Sequence, residues 1–345
     1  MVTIKDVAKE ARVSIGTVSR AFNGYQDIND DTKNRIFDVA DRLGYAPNVN
    51  ARSLSSKNSN NMGLIVSGFL ESDCRDGFVM MLLQGIYRYA SKHSVEVALY
   101  TLDSRQQRSK SYERFCAEHS IFGAVLSGVA TNDPYFTELV EAGMPCVLID
   151  AYIKGARLGC VSVDNVKAAD DMVQYLFDKN HRNIIVVQGK KEAEVNSYRI
   201  AGIYTAFRRN GLKLDRGQIL TCNFSERQAY EKVKKYITAN GKRKATAFMC
   251  LSDIMALGTM RAVRDCGYSV PEDFSVTGFD GIPIAAYTTP GLTTIEQDVV
   301  EIGYRAAALL QEIRLDFGKA RSVYAPYVFK ERDSVSSKAV PNNNL

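Results

Sequence analysis

Three carboxylates and a serine stand at the ends of strand-like runs. Asp150 directly follows Cys146–Ile149, Ser252 and Asp253 follow Ala247–Cys250, and Asp280 follows the run 274–279. An ionised carboxylate accepts hydrogen bonds from neighbouring hydroxyls, and a serine hydroxyl both donates and accepts, so this chemistry suits a polyhydroxylated molecule better than a hydrocarbon. Asp150 and Asp280 are also conceivable as a general acid and base. The chain carries no G-x-G-x-x-G after a strand, no G-x-x-x-x-G-K-[ST], no G-x-S-x-G and no H-E-x-x-H, so a binding role is expected, with no catalytic residue, no cofactor and no enzyme activity. The seven cysteines (Cys74, Cys116, Cys146, Cys160, Cys222, Cys250, Cys266) show no C-x-x-C spacing and the three histidines are far apart. Reduced, buried thiols are expected rather than disulfides or a metal site.

The first 45 residues carry a different chemistry. Thr3 followed three residues later by Asp6 is a capping-box pattern, which starts a helix with Ile4, Val7, Ala8 and Ala11 on one apolar stripe. Ser14 precedes a second helix, Ile15 to Asn23, whose Val18 and Ala21/Phe22 turn inward and leave Ile15, Gly16, Ser19, Arg20 and Asn23 facing out. A third helix fits Asp31 to Leu43, with Gly44 as its stop. Two short helices joined by a tight turn make a helix-turn-helix, whose second helix enters the major groove of DNA by its N-terminal end. There Arg20 can bond guanine O6 and N7 together, Ile15 can touch a thymine methyl, and Gly16 permits close approach. Spacing alone also fits any small three-helix bundle.

These residues need elements to hold them. From Met62 onward, short β-rich runs alternate with helical patterns in two successive sets, which predicts an α/β fold of doubly wound parallel sheets in two lobes. The N-lobe is expected over about 62–160 and 291–321, and the C-lobe over about 161–290 and 322–335. In this scheme the Thr289-Pro290-Gly291 turn returns the chain to the N-lobe, which Leu292–Ile295 and a helix from Asp298 to Phe317 complete. Ligands of open α/β sheets sit beyond the carboxyl ends of the strands, so with two lobes the ligand belongs in the cleft between them. The segment 46–61, rich in Asn and Ser, has little to bury and reads as a linker, and 336–345 reads as a disordered tail.

At 345 residues the chain is long enough for two or three domains. No run approaches the roughly 18 apolar residues of a membrane span. The N-terminus is a polar capped helix without the apolar stretch of a signal peptide, so a cytoplasmic protein with no membrane partner is expected. The net charge of +5 is weak support for nucleic-acid binding, since residues 1–60 hold nine Lys/Arg against seven Asp/Glu. Placement says more: 46–61 has two basic residues and no acid.

The strings Thr3-Ile4-Lys5-Asp6-Val7-Ala8, Val13 to Arg20, Gly44-Tyr45-Ala46-Pro47-Asn48 and Ala51-Arg52-Ser53-Leu54 resemble, nearly residue by residue, the N-terminus of the lactose-repressor/galactose-repressor family of bacterial transcription regulators. The resemblance extends to Ser334. It implies a helix-turn-helix headpiece (1–45), a hinge helix (46–61) and an effector-binding core (62–335) similar to periplasmic binding proteins. The expected DNA-facing residues are Thr3, Lys5, Ser14, Ile15, Gly16, Thr17, Ser19, Arg20, Asn23, Tyr45, Asn48, Arg52 and Leu54. Leu54 takes the family position that wedges into the minor groove at the central base step; the alternative is an ordinary linker residue.

The same resemblance selects effector residues. Arg199 heads Arg199-Ile200-Ala201-Gly202, similar to the family's R-x-x-G, whose arginine contacts effector. Phe224 falls where the family often places a ring-stacking aromatic, and Phe78 keeps the register of its D-x-x-N-P-F-F loop, from which Glu71, Asp73, Arg75 and Asp76 depart. With Asp150, Ser252 and Asp280 these make a sugar-like site. Arg199 has an alternative as a lobe-bridging ion pair with Asp150 or Asp280, and Phe224 as a core residue. Asp253 is expected to cap the following helix, and Ser252 replaces the family's usual asparagine. The expectation is a homodimeric repressor of a carbohydrate-utilisation operon, bound to a near-palindromic operator and controlled by a small sugar-like effector, because one headpiece reads too short a half-site alone. Whether the effector releases the protein from DNA or promotes binding is left open. The tail carries no leucine heptad for a coiled-coil tetramer.

Overall fold

The computed structural model describes residues 2–22, 25, 27–45, 60–67, 77–316 and 321–339. Asn23, Asn48, Arg52 and Leu54 lie outside the described residues, as do Cys74 and the four departing residues of the 68–76 loop. The chain divides into two units, Met1–Ser59 and Asn60–Leu345.

In the first unit, α1 (Ile4–Glu10) starts where the Asp6 carboxylate accepts from the Thr3 amide at 2.8 Å and the Thr3 hydroxyl at 2.7 Å. Those bonds hold the Asp6 carboxyl below its ordinary pKa. The Ser14 hydroxyl accepts from the Thr17 amide at 3.0 Å and opens α2 (Ile15–Phe22). Asn29 caps α3 (Asp30–Leu43), and Gly44 ends it at φ 67°. Val7, Ala8, Ala11, Val18, Ala21 and Ile36 are buried together, so the three apolar stripes form one small core.

The second unit holds two six-stranded sheets. The N-lobe sheet runs in the order β11-β5-β4-β3-β1-β2, with β1 (Asn61–Ser67), β2 (Glu96–Leu102), β3 (Ala124–Ser127), β4 (Cys146–Ile149), β5 (Leu158–Ser162) and β11 (Arg321–Tyr324) all parallel. The C-lobe sheet runs β12-β10-β9-β8-β6-β7, with β6 (Ile184–Gln188), β7 (Ile219–Thr221), β8 (Ala247–Cys250), β9 (Ser275–Asp280), β10 (Thr293–Gln297) and an antiparallel β12 (Tyr327–Lys330). Strands buried on both faces read as continuous apolar runs, and β3, β4, β6 and β8 are buried at every position.

Helices α4 (Phe78–His93), α5 (Ser104–Ser109), α6 (Tyr112–Glu118) and α7 (Pro134–Glu138) belong to the N-lobe. The C-lobe carries α8 (Asn165–Asp178), α9 (Glu194–Arg209), α10 (Glu226–Asn240) and α11 (Asp253–Asp265). The last helix, α12 (Val299–Leu315), packs on α4 and on the N-lobe strands. That contact is close because a Cβ on Gly85 would stand 1.9 Å from the Val300 carbonyl oxygen.

Two boundaries differ from expectation. Leu292–Ile295 do not complete the N-lobe: β10 lies parallel to β9 in the C-lobe sheet, and Thr294 donates to the buried Asp253 carboxylate at 2.6 Å. Pro290 and Gly291 therefore make a turn inside the C-lobe, and the chain crosses back only after Gln297. The segment 322–329 also splits, since β11 pairs with β5 in the N-lobe and β12 with β10 in the C-lobe. The lobes are joined by three crossovers, after β5, after β10 and between β11 and β12. The chain also stays attached beyond Val335, where a disordered tail was expected. The Ser336 amide donates to Ser275 Oγ at 3.1 Å, and the Lys338 amide donates to the Lys179 carbonyl at 2.9 Å. Residues 340–345 lie outside the described residues.

Candidate functional site

All six residues expected to meet an effector line one cavity of about 220 Å³ in the second unit. Its N-lobe wall includes Ser67, Phe78, Ser127 and Asp150, and its C-lobe wall includes Lys190, Arg199, Asn223, Phe224, Ser252 and Asp280. Most of these follow the carboxyl end of a strand in one sheet or the other, as the rule for open α/β sheets requires. Ser67, Gly128 and Lys190 also border a second polar space of about 220 Å³ with Asp103, Ser104 and Asp133. The cleft therefore continues beyond one compartment.

Backbone conformation aims several of these side chains. Among the eight described non-glycine residues at positive φ, four line the cavity: Asp150 at 58°, Asn223 at 54°, Phe224 at 57° and Asp280 at 116°. Such conformations cost roughly 1–3 kcal/mol each and persist where surrounding structure holds them. The Phe224 ring lies over Gly189, where a Cβ would stand 2.0 Å from the ring carbon Cζ. Only a residue without a Cβ leaves room for the ring there.

Arg199 is 3% exposed and bonded on three sides. Its Nε donates to Asn165 Oδ1 at 2.8 Å, one terminal nitrogen donates to the Leu251 carbonyl at 2.6 Å, and the other lies 3.5 Å from Asp280 Oδ1. Its guanidinium carbon stands 3.6 Å from the centre of the Phe279 ring. A guanidinium has five N–H donors, so two remain for a ligand. Arg199 pairs with Asp280 within the C-lobe, so the ion pair does not bridge the lobes as one alternative held, and Asp150 is not its partner. Asp280 also accepts from Gln297 at 2.8 Å. Asp150 accepts from the Ser162 hydroxyl at 2.5 Å.

Phe224 is half-buried at the cavity wall. Ser252 faces the cavity and caps α11, accepting from the Met255 amide at 3.3 Å. The capping expected of Asp253 thus falls to Ser252. Asp253 instead ties β10 and the loop after β9 to α11, accepting from Thr294 and from the Ile282 amide at 2.8 Å. Burial raises its carboxyl to about 7 against those bonds. Lys190, Asn223 and Glu194 were missed from the sequence, although Lys190 follows β6 under the same strand-end rule that selected Asp150.

In the first unit, the outward face of α2 carries exposed Ile15, Gly16 and Arg20, with Ser19 and Thr17 half-buried. Thr3, Lys5 and Ser14 are exposed nearby in the chain. Ile15 is 46% exposed, an apolar side chain left on a helix whose other large residues pack inward. Arg20 forms an ion pair with Asp27 and lies 5.4 Å from the Tyr25 ring centre, two neighbours the sequence did not single out. Tyr45 is half-buried, edge-on to Phe22 with ring centres 5.8 Å apart. Its ring belongs to the headpiece core.

Among the described residues, no helix is long and apolar enough to cross a membrane, and no cluster of three or more His, Cys, Asp or Glu is placed to hold a metal ion. The six described cysteines are free thiols.

Comparison with known proteins fits both units. Residues 3–48 match the family described as bacterial regulatory proteins, lacI family, and residues 173–335 match a periplasmic binding protein-like domain. The chain is 31% identical over 310 residues to the HTH-type transcriptional repressor CytR of Escherichia coli (strain K12), covering 89% of this chain and 88% of that protein. Its fold superposes on the lac repressor dimer bound to operator and the anti-inducer ONPF with a TM-score of 0.83, at 21% identity over 97% of this chain and 99% of that one. On the transcriptional regulator CelR–cellobiose complex the TM-score is 0.72, at 23% identity over 97% and 100%. The chain is a member of the lacI family of bacterial regulatory proteins, a DNA-binding transcriptional regulator with a helix-turn-helix headpiece and a two-lobed periplasmic-binding-protein-like core.

Proposed function

We propose that this regulator is a homodimeric, cytoplasmic repressor of a carbohydrate-utilisation operon, whose grip on a near-palindromic operator is set by a sugar-like effector held between the core lobes. The observation that carries the reading is the meeting of Phe78, Asp150, Arg199, Phe224, Ser252 and Asp280 in one cavity walled by both lobes. Two carboxylates to accept from vicinal hydroxyls, a guanidinium with spare donors and an aromatic face make a complementary surface for a polyol ring. The polar continuation past Lys190 suits hydroxyls beyond a first ring. A neighbour in fold was solved with cellobiose, which supports the same ligand class here.

The control follows from the two walls. A ligand that touches both lobes binds the approached arrangement better than a separated one, and it shifts the equilibrium by that difference in affinity alone. The N-lobe begins at β1, immediately after the linker, so a change in lobe arrangement acts on the segment joined to the headpiece. Arg20, Ile15 and Gly16 are proposed to read bases, Thr3, Lys5, Ser14, Thr17 and Ser19 to hold phosphates, and Leu54 to wedge the minor groove. A thermal-shift screen of mono- and disaccharides, sugar phosphates and nucleobases tests the reading. A ligand at about 100 times its Kd adds about 2.7 kcal/mol of stability. A hit confined to nucleobases, or to none of these classes, contradicts it.

A further inference from the structure

A second cavity, about 380 Å³, shares Asp150 and no other described residue with the effector cavity. Its walls come from both lobes and from one crossover between them: Asp150 to Tyr152 after β4, Ser162 to Val166 where the chain leaves the N-lobe, Ser322 to Tyr324 on β11, and Tyr198 on α9. Three tyrosines, Tyr152, Tyr198 and Tyr324, stand around it at 36%, 36% and 65% exposure. Exposed rings gathered about one hollow are unusual, since aromatic side chains normally take their area into a core.

The charge here is one-sided. Asp150 and Asp164 line the space, and among the described residues no Lys or Arg does. Glu194 stands beside it, accepting from the Tyr152 amide at 2.6 Å and from the Tyr198 hydroxyl at 2.7 Å. Every bond that these three carboxylates receive comes from a neutral donor: Ser162 and Asn165 to Asp150, the Lys167 amide to Asp164, and the two tyrosine groups to Glu194. Burial, and then the charges of Asp150 and Glu194, push the nearby Cys160 thiol up to about 12. Among the described residues, none of these three carboxylates has a cationic partner.

We infer that this hinge cavity binds a small organic ammonium ion, seated against the tyrosine faces with Asp150 and Asp164 as countercharge. Aromatic faces attract a weakly hydrated cation through the ring quadrupole, which a hydrated inorganic ion with its bound waters exploits poorly. The occupant would touch residues of both lobes and the one carboxylate common to both cavities. It is therefore placed to bias lobe arrangement independently of a sugar, and the site stands whether or not the sugar reading holds.

Calorimetric titration of the full chain with choline, and with its neutral isostere 3,3-dimethylbutan-1-ol, tests this. Choline should bind at least about threefold more tightly than the isostere, and Tyr324→Ala or Asp164→Asn should each weaken choline by roughly threefold to tenfold. Asparagine keeps the cap that Asp164 provides to α8, so that variant should fold. Phe224→Ala, in the other cavity, should leave choline affinity unchanged. Equal affinity for the isostere, no saturable heat at millimolar choline, or loss with Phe224→Ala but not with Tyr324→Ala would each overturn the assignment.

Discussion

At the scale of residues, Arg199 serves two purposes that a single substitution mixes. Arg199→Ala removes the donor to the Leu251 carbonyl and the cation facing the Asp280 carboxylate, and breaking such a buried pair costs about 3 kcal/mol. Urea denaturation should show that loss with no ligand present. Phe224 is the cleaner probe of the site, because its ring covers Gly189 at the cavity wall and it makes no ion pair. Phe224→Ala should weaken the effector at least several-fold by calorimetry while operator affinity without ligand stays unchanged. In the headpiece, Arg20→Ala should cost roughly 1–3 kcal/mol per half-site and relax preference at one base pair. Equal losses on operator and random DNA in a binding assay would make Arg20 a phosphate contact. Its pair with Asp27 must open before it reaches a base, and both partners are about half exposed, so that step is cheap.

Elements explain what the sequence made legible and what it hid. Capping patterns and strand ends carried most of the site: the Thr3/Asp6 box, the Ser14 start and the Gly44 stop are all found, and Asp150, Ser252 and Asp280 were selected from strand ends alone. Arg199 and Phe224 came from resemblance, because Arg199 lies on a helix and Phe224 follows β7, a strand of three residues that the sequence did not single out. The assignment of β10 failed for a physical reason, since a Pro-Gly turn looks the same at a lobe boundary and within a lobe. Its place shows only in its pairing with β9 and β12 and in the Thr294 bond to Asp253, partners that lie well away in the chain. Gly189→Ala tests the element-level packing: a Cβ there displaces the Phe224 ring, so effector binding should fall while the fold remains. Unaltered binding would show that the ring does not shape the cavity.

The strap after β12 gives a pH prediction. His181 is buried between Thr246 and the Ser336 carbonyl, and burial lowers its imidazole to about 4 from an ordinary 6.5. Between those values the unfolded chain binds the extra proton, so this contribution to stability is lost as pH falls from about 6.5 to about 4. Asp253 acts with the opposite sign. Its carboxyl, raised to about 7 from 3.8, favours the folded state at low pH and loses that advantage as pH rises through the window. His181→Gln should therefore make stability fall more steeply with rising pH between about 4 and 6.5 than in the unaltered protein. Identical slopes in urea melts across that range would contradict it.

For the whole molecule, the central question is whether two lobes act as one receptor. They meet across the cleft through hydrogen bonds from Thr131 to the Glu192 carbonyl at 2.8 Å and from the Tyr152 amide to Glu194 at 2.6 Å. A ligand in the cavity adds to these contacts and should tighten the same approach. The α/β rhythm made both sheets legible, but three crossovers between them depend on which sheet each late strand joins, and local sequence does not encode that. The most direct measurement is operator binding by the full-length protein, titrated with a saccharide found by the thermal screen, for the unaltered chain and for Phe224→Ala. The saccharide should shift operator affinity roughly 5- to 150-fold in the unaltered protein and little in the variant, with equal affinities when no saccharide is present. A saccharide response that survives Phe224→Ala undiminished, or an operator affinity that no cleft-binding saccharide changes, would contradict it.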